Sequence, residues 1–207
     1  MSRLRVLCLH GYHGSAAILR NQMGSLAEGL ESTVDFVYVD APSLSTGDFG
    51  WWHHGFAGWE RTRDWAVSLF REAPPFDGVF GFSQGAALAS LLVGMRATDG
   101  LTFEFAMLVG GFRSDSPAHA HLYARTEAYT LPSLHIIGRA DTVVPSRDSR
   151  VLADQFAAPV VLEHPGGHVV ASTPAIRLGV ADFLARAARA ARAAGAAGAA
   201  GAHRSST

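Results

Sequence analysis

A serine, an aspartate and a histidine, met in that order along the chain, are the residues whose types and spacing point to nucleophilic acyl transfer. The serine lies in Gly81-Phe82-Ser83-Gln84-Gly85, a G-x-S-x-G run. The pattern alone is moderately specific, and its setting strengthens it. The apolar pair Val79-Phe80 leads into it and Ala86-Ala87-Leu88-Ala89 leads out, so a strand enters the serine and a helix leaves it. Such a turn holds the serine in a costly backbone conformation with its hydroxyl facing outward. Side chains at Gly81 and Gly85 would clash where strand and helix cross. The alternative is a glycine-rich turn that carries a surface serine.

A serine hydroxyl is a weak nucleophile until a base takes its proton. Asp141 stands just after the apolar run Ile136-Ile137, in Gly138-Arg139-Ala140-Asp141-Thr142-Val143-Val144-Pro145, and His168 closes Glu163-His164-Pro165-Gly166-Gly167-His168. Both follow strand-like segments, so both should emerge at the carboxyl edge of a parallel sheet, where open α/β sheets build their sites. Asp141 would hold the imidazole tautomer and stabilise the imidazolium. The chain has ten histidines. His164 is the rival to His168, which is preferred because the glycine pair before it lets the loop carry the ring over the serine. Asp115 and Asp148 are the rivals to Asp141; one follows an earlier strand and the other sits on an expected helix.

A tetrahedral intermediate needs two backbone N–H donors. One is expected from Gln84, directly after the nucleophile. The other is expected from Tyr12, in the loop Leu9-His10-Gly11-Tyr12-His13-Gly14, unless His10-Gly11 is an ordinary strand-to-helix turn. All four tryptophans fall between Trp51 and Trp65. Trp51, Trp52, Phe56 and Trp59 are candidates for the wall of an acyl pocket, because ligand sites are lined by aromatics. Core packing under a long loop is the competing reading.

The elements that must position these groups alternate between strand and helix. Strands are expected over 3–9, 33–39, 79–82, 103–109, 134–137 and 160–163. Helices are expected over 15–30, 59–72, 84–95 and 146–156, with a last one from Thr173-Pro174 to about Arg192. Alternation of this kind implies a mostly parallel sheet covered by helices on both faces. One domain over 1–192 is expected, followed by a disordered Ala/Gly-rich tail over 193–207.

Composition removes several classes of function. The formal net charge is −1, with no basic excess for nucleic acid or an anionic membrane. All seventeen basic residues are arginine, which rules out a Schiff base, a Ser-Lys dyad and a Walker-type phosphate loop. The single cysteine, Cys8, lies in the apolar run Val6-Leu7-Cys8-Leu9 and reads as buried and structural. It fits a reducing compartment, and the cytoplasm is expected. No apolar stretch is long enough for a membrane-spanning helix.

With these pieces in place the chain resembles the FSH family of serine hydrolases, which includes ovarian-cancer-associated serine hydrolases and fungal polyketide-releasing thioesterases. The matching stretches are Leu7-Cys8-Leu9-His10-Gly11-Tyr12, Val39-Asp40-Ala41-Pro42, Trp51-Trp52 and the run from Pro75 to Ala87. They continue through Gly110-Gly111-Phe112, Pro132 to Gly138, Asp141 to Pro145 and His164 to His168. The resemblance implies an α/β-hydrolase fold of about six strands. It also implies a Ser83-Asp141-His168 triad that needs neither cofactor nor metal, and it adds Phe112 to the candidate pocket residues. The implied substrates are small carboxylic esters and acyl thioesters. A second reading keeps the three residues but releases an acyl product from a carrier protein. A non-catalytic binding module is a third, and the complete Ser-Asp-His set argues against it.

Overall fold

The strands form where β-branched and aromatic residues run together, and each gives way to a segment of helical spacing that returns the chain to the same edge. The structure, a computed structural model, describes residues 3–43, 50–123 and 129–204, with side chains as far as residue 193. Its strands are β1 (Leu4–Leu9), β2 (Val34–Val39), β3 (Gly78–Phe82), β4 (Phe105–Val109), β5 (Ser133–Gly138) and β6 (Val160–His164). Its helices are α1 (Ala16–Ala27), α2 (Trp59–Glu72), α3 (Gln84–Asp99), α4 (Ala120–Tyr123), α5 (Ser146–Ala153) and α6 (Pro174–Arg204). The strands make one parallel sheet in the order β2-β1-β3-β4-β5-β6.

Alternation along each strand divides the core between the two faces. On one face Leu7, Leu9, Val79, Ala106 and Leu108 meet Ala66 of α2, Leu88 and Leu92 of α3, and Leu152 of α5. On the other, Val6, Cys8, Phe80, Met107 and Ile136 meet Met23 of α1 and Val180, Phe183 and Leu184 of α6. Cys8 is fully buried, as its apolar setting predicts, and burial pushes its thiol well above the usual range. The strand order reverses between β1 and β3, so the loops leaving these two strands diverge and open a crevice at their carboxyl ends. Ser83 follows β3 and Gly11 follows β1 at that point. Among the described residues no helix is long and apolar enough to cross a membrane.

Two segments differ from expectation. The stretch around His119 and His121, where no element is expected between the strands over 103–109 and 134–137, holds a 3₁₀ turn (Pro117–His119) that runs into α4. Proline starts the turn, and His119, Leu122 and Tyr123 are buried by it. The last helix, expected to stop near Arg192, continues to Arg204. Alanine is the strongest helix former, and a run of it outweighs a cost of about 1 kcal/mol for each interspersed glycine. Residues 205–207 lie outside the described part.

Candidate active site

Ser83 sits between β3 and α3 with φ 56° and ψ −120°, a left-handed conformation that a non-glycine residue adopts only when its surroundings force it. Its N–H donates to the Val109 carbonyl at 2.9 Å, and its own carbonyl accepts from Ala86 and Ala87. The close crossing dictates the two glycines around it. A Cβ on Gly81 would lie 2.2 Å from the Gly85 oxygen, and one on Gly85 would lie 2.1 Å from the Leu9 oxygen. A Cβ on Gly11 would stand 3.2 Å from that of Ser83, so the turn after β1 is pressed against the serine.

Asp141 and His168 are brought together from the loops after β5 and β6. The His168 Nδ1–Asp141 Oδ2 distance is 2.7 Å, and Asp141 Oδ1 accepts the N–H groups of Val143 at 2.9 Å and Val144 at 2.8 Å. The two loops are joined by backbone bonds from Arg139 to His164 and from Ala140 to Gly166. Glycine is needed at 138, where a Cβ would meet the Gly167 oxygen at 2.5 Å, whereas a Cβ on Gly167 would make only ordinary contact, 3.5 Å from the Ala140 oxygen. The His168 ring lies 4.8 Å from that of Phe82, the residue before the serine. Its Nε2 is buried and has no hydrogen-bond partner among the described residues. The rivals stand elsewhere. His164 is buried at the end of β6, and burial lowers its pKa. Asp115 and Asp148 line the cavity in front of Ser83, and Asp148 pairs with its neighbour Arg147.

The turn after β1 is held by residues distant in sequence. His10 is fully buried; its Nδ1 lies 2.8 Å from the Gly11 oxygen and its Nε2 accepts the Ala41 N–H at 3.1 Å. An accepting Nε2 leaves the proton on Nδ1, so His10 is neutral, in keeping with a pKa that burial lowers. The His10 carbonyl accepts the Trp51 indole N–H at 2.7 Å. Tyr12 and Gln84, the two expected oxyanion donors, both reach the cavity that Ser83 lines. Sequence reasoning misses the second task of Gln84: its Oε1 accepts the Trp51 N–H at 2.9 Å and its Nε2 donates to the Trp52 carbonyl at 2.8 Å.

That bracket divides the aromatic run. The cavity measures about 750 Å³, and Trp52 and Phe112 line it together with Val143, Val144 and Val151. Trp51, Phe56 and Trp59 do not line it. Trp51 is 1% exposed, stacked on His10 at 4.7 Å and packed on Trp65 at 5.3 Å. Trp59 meets His119 at 4.2 Å, and Phe56 packs partly buried against the same cluster. The expectation of a four-membered aromatic wall is corrected to Trp52 alone, because Gln84 and His10 draw Trp51 inward. The stretch brings His53 and His54 to the rim instead. Among the described residues no group of three histidine, cysteine or carboxylate side chains could hold a metal.

Residues 1–177 match the family described as Serine hydrolase (FSH1). The chain is 33% identical to Esterase OVCA2 of Danio rerio, across 88% of this chain and 97% of that one. It is 35% identical to Esterase OVCA2 of Xenopus tropicalis, across 81% of this chain and 86% of the other. Among solved structures, the Bacillus cereus carboxylesterase superposes with a TM-score of 0.66 at 17% identity, covering 89% of both chains, which is a likeness of fold.

Proposed function

The chain belongs to the serine hydrolase (FSH1) family and is a hydrolase acting on esters; from that premise we propose that it cleaves small carboxylic esters or acyl thioesters through an acyl-enzyme formed on Ser83. His168 Nε2 takes the proton of the Ser83 hydroxyl as Oγ attacks the substrate carbonyl. The tetrahedral oxyanion is held by the N–H groups of Gln84 and Tyr12. Collapse breaks the bond to the alcohol or thiol, which leaves with the proton from His168. Water then repeats the sequence: His168 removes a proton, the hydroxide adds to the acyl carbon, and Ser83 Oγ departs with that proton as the acid is released. Asp141 keeps the Nδ1 proton in place throughout and stabilises the imidazolium.

The observation that carries this reading is the 2.7 Å contact of His168 Nδ1 with Asp141 Oδ2 behind an unpartnered Nε2, beside a serine at φ 56°. A base bond to the nucleophile often tightens only when substrate is bound. The test uses a fluorophosphonate probe together with turnover of p-nitrophenyl acetate. The wild type should be labelled once and turn over the ester, and Ser83→Ala should lose both. Labelling or turnover that survives the substitution overturns the assignment.

A further inference from the structure

His119 is buried to 1% exposure on a segment whose polarity suggests solvent, and hydrolysis as described above does not use it. Its ring is enclosed by Trp59 at 4.2 Å, Phe56 at 5.1 Å and Trp52 at 6.3 Å. Its Nδ1 lies 2.7 Å from Ser114 Oγ, which also accepts the Ser116 N–H at 3.3 Å. Ser114 is tied inward as well, since its N–H donates to the Tyr123 hydroxyl, which bonds Ser90 of α3 at 2.8 Å. His119 Nε2 is buried without a hydrogen-bond partner among the described residues. A polar atom in an aromatic enclosure is costly. A phenylalanine would fill the same space without that cost, yet it could not bond Ser114. The ring therefore links two segments that line the cavity: it packs on Trp52, and it bonds Ser114 in the loop whose Phe112, Arg113 and Asp115 line the same space.

We propose that His119 is a positioning residue that joins the Trp52 wall to the loop after β4, and so sets which acyl groups reach Ser83. It rests on the ester-hydrolase reading. His119 touches no substrate itself; it acts through Trp52 and Ser114. Burial lowers its pKa, so the ring is neutral near neutral pH. The titratable and charged groups about it are His121 of α4, which lowers the His119 pKa further, and Glu60 of α2, which raises it, with Arg113 and Asp115 on the adjoining loop.

The test measures kcat and KM for p-nitrophenyl acetate, octanoate and dodecanoate with wild type, Ser114→Ala, His119→Phe and the double variant. Either single variant should raise KM for dodecanoate about tenfold, the scale of one hydrogen bond, while kcat for acetate stays within about twofold. Both act on one link, so the double variant should be no worse than either single. Ser114→Ala, which leaves the ring in place, carries the test if His119→Phe does not fold. An unchanged length profile at preserved melting temperature, or losses that multiply in the double variant, overturns the proposal. A wild type that turns over none of the three esters overturns the ester-hydrolase reading and the proposal with it, whereas an active enzyme whose variants keep the wild-type length profile overturns the proposal alone.

Discussion

Asp141 offers one oxygen to two backbone N–H groups and the other to His168, and this arrangement makes its replacement by asparagine informative. In Asp141→Asn the amide oxygen must remain where Val143 and Val144 donate, so the NH₂ group faces His168 Nδ1. The imidazole then accepts at Nδ1 and carries its proton on Nε2, where it cannot take one from Ser83. Steady-state assays with p-nitrophenyl acetate should show kcat lower by about 10⁴ at a nearly unchanged melting temperature. Asp115→Asn and Asp148→Asn should each change it little; a larger effect from either would reassign the acid. Ser83, Asp141 and His168 stand out as candidates in the sequence because each lies within four residues of the end of an apolar strand, and chain order does the rest. The second task of Gln84 and the burial of His119 are not legible. Both depend on partners about thirty or more residues away, at Trp51, Trp52, Phe56 and Trp59, and no local pattern records such contacts.

At the scale of elements, strand and helix positions follow from periodicity to within a few residues, and the misses have physical causes. Trp51 to Trp59 shows the limit: a pocket wall and a core layer ask for the same apolar types, and only the capture of Trp51 by Gln84 and His10 separates them. Loop geometry supplies the next prediction. Gly110, at the end of β4, has φ 54°, and a Cβ there would lie 3.1 Å from the His168 ring. Gly110→Ala should cost about 1–2 kcal/mol in urea unfolding for the left-handed backbone. It should also lower kcat by about 10², because the ring must move off its line to Ser83. Loss of stability with unchanged kcat would show that His168 tolerates the crowding. Among the described side chains of α6 the last buried one is Ala188, with Ala191 partly buried beyond it. A chain ending at Arg192 should therefore melt and turn over ester as the full one does, whereas a clear drop in melting temperature would mean that the final turns of α6 dock on the domain.

For the molecule as a whole, the two-faced core encloses several histidines that must stay neutral to remain inside. Burial holds His135 of β5 down to about 3, and burial likewise lowers His10, His119 and His164. In the unfolded chain each titrates near 6.5. Below that value the unfolded state binds more protons than the folded one, so stability falls as pH falls. The contribution of His135 is fully present above about pH 6.5 and is lost progressively toward about pH 3, at up to about 1.4 kcal/mol per pH unit. His135 also contacts Phe156 at 5.1 Å and Ser133 Oγ at 3.1 Å, so substitution alters packing as well as charge. The slope of stability against pH separates the two effects, because lost packing shifts the whole curve while a lost proton site flattens it. Urea unfolding from about pH 8 to about pH 5 should give a plateau and then a decline, with a shallower decline in His135→Gln. Equal slopes in the two proteins would mean that His135 takes up its proton inside the fold, and that the strand carrying it opens to water well before the molecule unfolds.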